Sequence, residues 1–221
     1  MYEEYSLNER MIHKMTNVLE VFTDFVCPWC YLAEQQLQEA VRDIEVTLKY
    51  VYFPLHPETS AEGMTLEKLF AGRGIDVASS QKQLGTMMRD AGLDYGPRTH
   101  TYNSSPAQQL AKYIELLDAG EGAGQGKQFR AGVFLAYFAR GENISKPEVL
   151  QGICHQIGMV GLEIEKALAD STAADAVSDD WAYCRKMDVT GVPAFRFGEQ
   201  WVHGCRGVDV LEALIRVERA E

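Results

Sequence analysis

Two cysteines three residues apart, Cys27 and Cys30, enclose Pro28 and Trp29 in the stretch FTDFVCPWCYLAEQQL. Residues of this type and spacing can exchange electrons as a dithiol and disulfide, supply half of a zinc site, or sit unreactive in a core. A closed zinc site wants four ligands at recognisable spacing, and the chain has no second C-x-x-C. His203 near Cys205 and His155 beside Cys154 are the nearest additions, so no metal is expected. Redox work has a specific requirement: the attacking species is a thiolate, so something must favour the anion at neutral pH. The start of a helix does so, through unpaired N–H groups and the positive end of the macrodipole.

The surrounding pattern puts Cys27 at such a start. VLEVFTDF is short, β-branched and aromatic and reads as a buried strand. Pro28 suits a first helical turn, after which Cys30, Ala33, Leu37, Ala40 and Val41 share one face. Cys30 then lies one turn beyond Cys27, shielded as a resolving thiol should be. IEVTLKYVYF, with Ile44, Val46, Leu48, Tyr50 and Tyr52 at period two, reads as a second strand, parallel to the first across a βαβ unit. Trp29 adds apolar surface beside the sulfur but no positive charge, which predicts a milder oxidant than a histidine in that place would give. Asp24, three residues before Cys27, reads chiefly as a partner for backbone N–H groups at the turn, with proton relay as the alternative.

From about Pro57 to Met187 the periodicity is helical. Leu110, Tyr113, Ile114 and Leu117 share a face, as do Phe129, Val133, Ala136 and Tyr137. Ser145 with Glu148 predicts a capping box ahead of Val149, Ile153 and Ile157. GEGAGQGK, near Gly120 to Lys127, fails the phosphate-loop pattern at two positions, follows a helix and reads as a flexible loop. PAFRFGEQWVHG alternates again, with Gly198 and Glu199 as a two-residue hairpin turn, and VDVLEALIRVE closes the chain as an amphipathic helix. The order β-α-β, helices, β-β-α is an α/β thioredoxin fold with a large helical insertion between its two halves. Its expected parts are an arm over residues 1–15, a thioredoxin-like domain over 16–57 and 188–221, and an inserted helical subdomain over 58–187. In that topology the proline of VTGVPAF, Pro193, is expected to be cis and to face the cysteine pair. Pro28, Trp29, Val192 and Pro193 would then meet substrate, with the Val192 backbone free to pair with an incoming peptide.

Composition narrows the function. The chain has 221 residues, of which 46% are hydrophobic and 24% charged, as in an ordinary globular protein. A formal net charge of −11, without a basic cluster, argues against nucleic acid. No run approaches the roughly 18–20 apolar residues that span a bilayer, and no apolar signal region is present, so the expectation is a cytoplasmic protein without a membrane partner. Five cysteines do not make a disulfide scaffold, and a close pair in a reducing compartment is catalytic or metal-binding. Cys154 and Cys184 continue apolar stripes and read as core.

VFTDFVCPWCYLA, FPLHPE, AYFARGENISKPEVL and VTGVPAFRFG together resemble the FrnE-like branch of the DsbA family of thiol-disulfide oxidoreductases, over a span from about Met15 to the C-terminus. The resemblance implies Cys27 as nucleophile, Cys30 as its partner in a redox-active disulfide, Pro193 as the cis proline, and no bound cofactor. Cysteine-containing proteins or low-molecular-weight thiols would be the partners, with glutathione as a candidate co-substrate. One departure is HGCRG, where members commonly have Ser-Gly-Ala-Gln. Cys205 takes the alanine position, at the expected start of the last helix, as a small apolar filler or as an accessory thiol. The same fold also includes 2-hydroxychromene-2-carboxylate isomerases and kappa-class glutathione transferases, which usually have serine at the nucleophile position. A glutathione-dependent isomerase or transferase is therefore the alternative, and a non-catalytic peptide clamp a third.

Overall fold

Strand β1 (Val18–Thr23) is buried along almost its whole length, because the sheet packs on both faces and β1 lies inside it. The computed structural model describes residues 17–121 and 124–217, and the arm expected over residues 1–15 lies outside them. β1 pairs in parallel with β2 (Thr47–Tyr52) through helix α1 (Pro28–Ala40). It pairs antiparallel on its other side with β5 (Ala194–Phe197), which pairs in turn with β6 (Gln200–His203), giving the order β2-β1-β5-β6. Phe197 opposite Gln200 leaves Gly198 and Glu199 as the turn, with Gly198 at φ 56° in the left-handed region that glycine tolerates. The second strand is shorter than its alternation suggested, since Ile44 and Val46 precede it.

Alternation along β1 sorts its side chains between two layers. Leu19 and Val21 meet Ala33 and Leu37 of α1 and Leu211, Leu214 and Ile215 of the last helix, α9 (Val208–Val217). Phe22 meets Val51, Cys184 and Ala194 on the opposite face. Glu20, buried on that face, is flanked across the strands by Lys49 at 2.9 Å and Arg196 at 3.2 Å.

Between the halves lie α2 (Leu66–Leu69), α3 (Val77–Asp90), α4 (Ser105–Glu121), α5 (Gln125–Phe134), α6 (Pro147–Gln156), α7 (Ile164–Leu168) and α8 (Ser171–Lys186). Helix α5 runs on into a π-helical turn, Leu135–Ala139. The insertion is not purely helical: β3 (Met64–Thr65) pairs antiparallel with β4 (His100–Thr101). The expected capping box is absent. Pro147 occupies the first helical turn, Lys146 is the cap residue, and Ser145 instead donates to Ala61 O at 2.7 Å. Leu117 leaves the predicted stripe for solvent, and the buried face of α4 is Ala107, Leu110, Ala111 and Ile114. In the glycine-rich stretch a helix resumes at Gln125, so its described part is a short helix-to-helix connection, with residues 122 and 123 outside the description. Cys154 and Cys184 are in the core.

The insertion covers the free edge of the sheet. Asp180 of α8 accepts the outward N–H of Tyr52 at 2.8 Å, and Lys112 of α4 donates to Tyr50 O at 2.8 Å while pairing with Asp180 at 2.9 Å. Edge hydrogen-bonding groups that would otherwise invite another strand are thereby satisfied by side chains. Asp180→Ala would strand a buried ammonium and a strand N–H, and is expected to cost roughly 3 kcal/mol in a urea unfolding titration. Asp180→Asn, which keeps an acceptor for Tyr52, should lose distinctly less.

Candidate active site

A tight turn after β1 puts Cys27 where the sequence pattern expects it. Asp24 Oδ1 accepts the N–H of Val26 at 2.9 Å, and Cys27 N donates to Asp24 O at 3.2 Å, closing an Asx-type turn that ends at the helix. Cys27, extended at φ −90° and ψ 116°, is the N-cap of α1, and Pro28 opens the first turn. Cys30 N and Tyr31 N both donate to Cys27 O. Cys27 is 4% exposed and Cys30 2%, whereas Trp29 is 41% exposed, standing out over the sulfur pair.

Facing the turn is the Val192–Pro193 peptide, which is cis. Pro193 is buried, and the Val192 carbonyl accepts from Cys27 Sγ at 3.4 Å. The Val192 carbonyl is thus already engaged by the thiol. Both cysteines are free thiols.

The two sulfurs have opposite acidities. Cys27 is held below the ordinary thiol range, chiefly by a hydrogen bond from the Cys30 thiol, and further by the backbone N–H groups of Cys30 and Trp29. Those N–H groups act through their dipoles, since no cap hydrogen bond to the sulfur is formed. Burial and the charge of Asp24 oppose the shift. Cys30 goes well above the ordinary range, first because it is buried and then because it lies against the Cys27 sulfur. One proton shared between two thiols therefore stays on Cys30 and leaves the anion on Cys27.

Asp24 is the centre of a polar knot. Its Oδ2 accepts Leu55 N, Ser104 Oγ and Gln108 Nε2, each at 3.1 Å, and Gln108 Oε1 accepts Trp181 Nε1 at 3.0 Å. Asp24 is 0% exposed and forms no ion pair among the described residues, so burial pushes its carboxyl up to about 6 and its donors pull back only partly.

Cys205 stands not on the last helix but three residues ahead of it. Its thiol donates to Gln36 Oε1 at 3.1 Å, and Gly204 N ties the same loop to Pro193 O at 2.8 Å. Burial, and then the Cys27 sulfur, push the Cys205 thiol up, so it is the protonated member of the neighbourhood. His203 is exposed and stacks on Trp201, and His155 is exposed on α6. Among the described residues no three His, Cys, Asp or Glu side chains group as a metal site would require.

The family profile of the DSBA-like thioredoxin domain matches residues 18–216. The chain belongs to that family. A Bacillus subtilis (strain 168) protein named "Uncharacterized protein YwbO" is 25% identical to this DSBA-like domain over 206 residues, covering 93% of this chain and 98% of the relative. Among solved structures, a "probable DsbA oxidoreductase" from Streptomyces coelicolor superposes with a TM-score of 0.79 at 22% identity, covering 92% of this chain and 90% of that one. A cytosolic disulfide reductase, DsbM, from Pseudomonas aeruginosa with glutathione gives 0.64 at 17% identity, covering 92% and 100%. A 2-hydroxychromene-2-carboxylate isomerase gives 0.65 at 18%, covering 92% and 98%. These likenesses fix the DsbA-like thioredoxin fold.

Sequence reasoning about this DSBA-like domain singled out Cys27, Cys30, Pro28, Trp29, Val192, Pro193 and Asp24 as candidates, and the structure places them around one turn. It missed Leu55, Ser104, Gln108 and Gln36. Only the spacing of Ser104 and Gln108, one helical turn apart, was a usable signal, and it named no partner.

The Asp24 knot predicts a pH dependence. Its folded value of about 6 lies above the ordinary 3.8, so the stability it contributes is complete below about pH 4 and is lost as pH rises through 6. Asp24→Asn should lack that loss, seen as a difference between the two proteins' urea midpoints that changes between pH 4 and 6. Removing the carboxylate should also move the pH profile of Cys27 alkylation to lower pH, and an unmoved profile would remove Asp24 from the electrostatics of the thiol.

Proposed function

We propose that this protein is a dithiol-disulfide oxidoreductase of the FrnE-like branch, working in the cytoplasm on cysteine-containing proteins or small thiols. The observation that carries the reading is the asymmetry of the pair: an acidic thiol at a helix cap beside a cis proline, and a suppressed thiol one turn on. Membership in the DSBA-like family and likeness to a disulfide reductase support it.

In the reductive direction the Cys27 thiolate attacks one sulfur of a substrate disulfide, forming a mixed disulfide and releasing the other half as a thiolate that takes up a proton. Cys30, once deprotonated, attacks Cys27 Sγ, closes the Cys27–Cys30 disulfide and releases the second half as a thiol. The enzyme dithiol loses two electrons and two protons, and the substrate gains them. Oxidation of a substrate dithiol runs the same steps backwards, and relative potential decides the direction. While a mixed disulfide holds Cys27, the Val192 carbonyl loses its thiol donor and becomes available to a substrate N–H. Trp29 offers the apolar surface against which the substrate rests. Likeness to an isomerase of the same fold supports the glutathione-dependent alternative, but the retained Cys30 thiol has no part in chemistry that serine performs elsewhere.

Equilibration in glutathione buffers followed by mass spectrometry tests the proposal. Wild type should lose two hydrogens reversibly, and Cys30→Ser should instead retain one glutathione on Cys27. Absence of a Cys27–Cys30 bond at every buffer ratio would exclude the function. A changed midpoint in Cys205→Ser would bring the accessory thiol into the mechanism, and an unchanged one would leave it a packing residue.

A further inference from the structure

Arg98 is a buried charge that the redox chemistry leaves unused. It is 8% exposed, yet among the described residues no carboxylate pairs with it. Its neighbours are neutral: Nε donates to the Tyr137 hydroxyl at 2.7 Å, Nη2 makes a long 3.5 Å contact with Val26 O, and the guanidinium lies over the rings of Tyr137 and Phe138, 5.0 and 5.5 Å from their centroids. Two other buried charges are matched by an opposite one, Arg130 by Glu115 at 2.8 Å and Asp180 by Lys112 at 2.9 Å. An unpaired ion held out of water is costly, and a counter-charge supplied by a ligand would relieve that cost.

The arginine is held deliberately. The π-helical turn presents Tyr137 to it, and such turns concentrate at functional sites. Gly96 N donates to Phe138 O at 2.8 Å, and any side chain at Gly96 would collide with Ala139 O, so the segment carrying Arg98 is pinned against that turn. Arg98 also lines a hollow of about 460 Å³ shared with Lys82, Arg89, Tyr95 and the single acid Glu67. Lys82 and Arg89 likewise have no carboxylate partner among the described residues. On a chain of net charge −11 this is a local excess of cations, and its volume lies in the range of small-ligand sites. A second hollow of about 730 Å³, beside α1, has only Tyr31 and Phe134 as buried walls and offers no such charge.

We propose that Arg98 binds a carboxylate of a small, peptide-like thiol or disulfide whose sulfur is delivered to Cys27. The contact with Val26, the residue before Cys27, sets the geometry. Arg98 touches the carbonyl of the residue next to Cys27, and an extended tripeptide spans roughly 10 Å, so a molecule of that size is the class proposed to set a carboxylate at Arg98 and a sulfur at Cys27. The guanidinium fork suits a carboxylate, and its pairing would supply the absent counter-charge. The assignment deepens the redox reading and rests on it for the role of Cys27.

Two measurements on the full-length protein separate them. In the first, the reduced protein is oxidised by glutathione disulfide and by neutral hydroxyethyl disulfide, and the ratio of the two second-order rate constants is compared in wild type, Arg98→Met and Arg98→Lys. The ratio should fall about tenfold in Arg98→Met, equivalent to roughly 1.4 kcal/mol, and less in Arg98→Lys. An unchanged ratio would overturn the assignment. In the second, S-methylglutathione, which cannot form a disulfide, is titrated calorimetrically. Binding to wild type that weakens about tenfold in Arg98→Met supports the site even if the redox chemistry fails, whereas binding indifferent to Arg98, or none, overturns it whatever the pair does. Melting temperature reports on a merely structural role: with no counter-charge to lose, Arg98→Met should melt no lower than wild type, and a clear drop would mark the arginine as part of the scaffold. An acidic peptide disulfide that outcompetes glutathione disulfide through Arg98 would refute the small-molecule assignment.

Discussion

The arrangement depends on one buried carboxylate. Asp24 receives hydrogen bonds from the turn before α1, from the segment after β2 and from the start of α4, so a single side chain registers both strands of the βαβ unit against the insertion. Ionised, it has four donors, each worth roughly 1.5–3 kcal/mol to a charged acceptor, set against a desolvation cost of several kcal/mol. Desolvation outweighs the donors, which pull the carboxyl back only partly and leave it at about 6. The position of Cys27 follows, because the Asx turn that Asp24 closes delivers the chain to the helix cap.

That seat explains why two like residues three apart differ in acidity. Cys27, at the helix cap, accepts a hydrogen bond from the Cys30 thiol and lies beside the N–H dipoles of Cys30 and Trp29; Cys30 sits inside the first turn, where burial first and the Cys27 sulfur next disfavour its anion. No cation contributes to the pair directly, since the residue between them that reaches solvent is Trp29. The thiolate is thus supported by dipoles and one thiol hydrogen bond, with Asp24 opposing it.

Local pattern made much of this legible and distance hid the rest. β1, α1 and the hairpin announce themselves through period-two and period-3.6 burial with Pro28 and Gly198 as punctuation, and the cysteine spacing pointed to the helix start. Ser145 misleads because Pro147, whose ring fits the first helical turn, moves the cap one residue on, to Lys146. The β3–β4 ribbon is two residues per strand, too short to leave a periodic trace. Leu117 fits the stripe by spacing, yet the surface its side chain would have met is not there. Ser104 and Gln108 lie 80 and 84 residues from Asp24, and Arg98 lies 72 from Val26; polar residues so separated acquire meaning only when the insertion folds back over the turn.

The insertion is therefore more than a cover for the sheet edge. It reaches the residue before Cys27 from both sides: the Val26 N–H is held by Asp24, itself anchored by Ser104 and Gln108, and the Val26 carbonyl is touched by Arg98. A buried carboxyl and a buried guanidinium thus contact the two consecutive peptide units on either side of Val26. The negative charge of Asp24 disfavours the neighbouring thiolate, and Arg98 reaches the turn through the Val26 carbonyl. Protonation of Asp24 relieves the charge that opposes the thiolate, and a ligand carboxylate at Arg98 would cancel the positive member and weaken its hold on the Val26 carbonyl. Through Ser104, Gln108 and Arg98, a segment carrying neither cysteine of the pair is in direct contact with the turn that holds them.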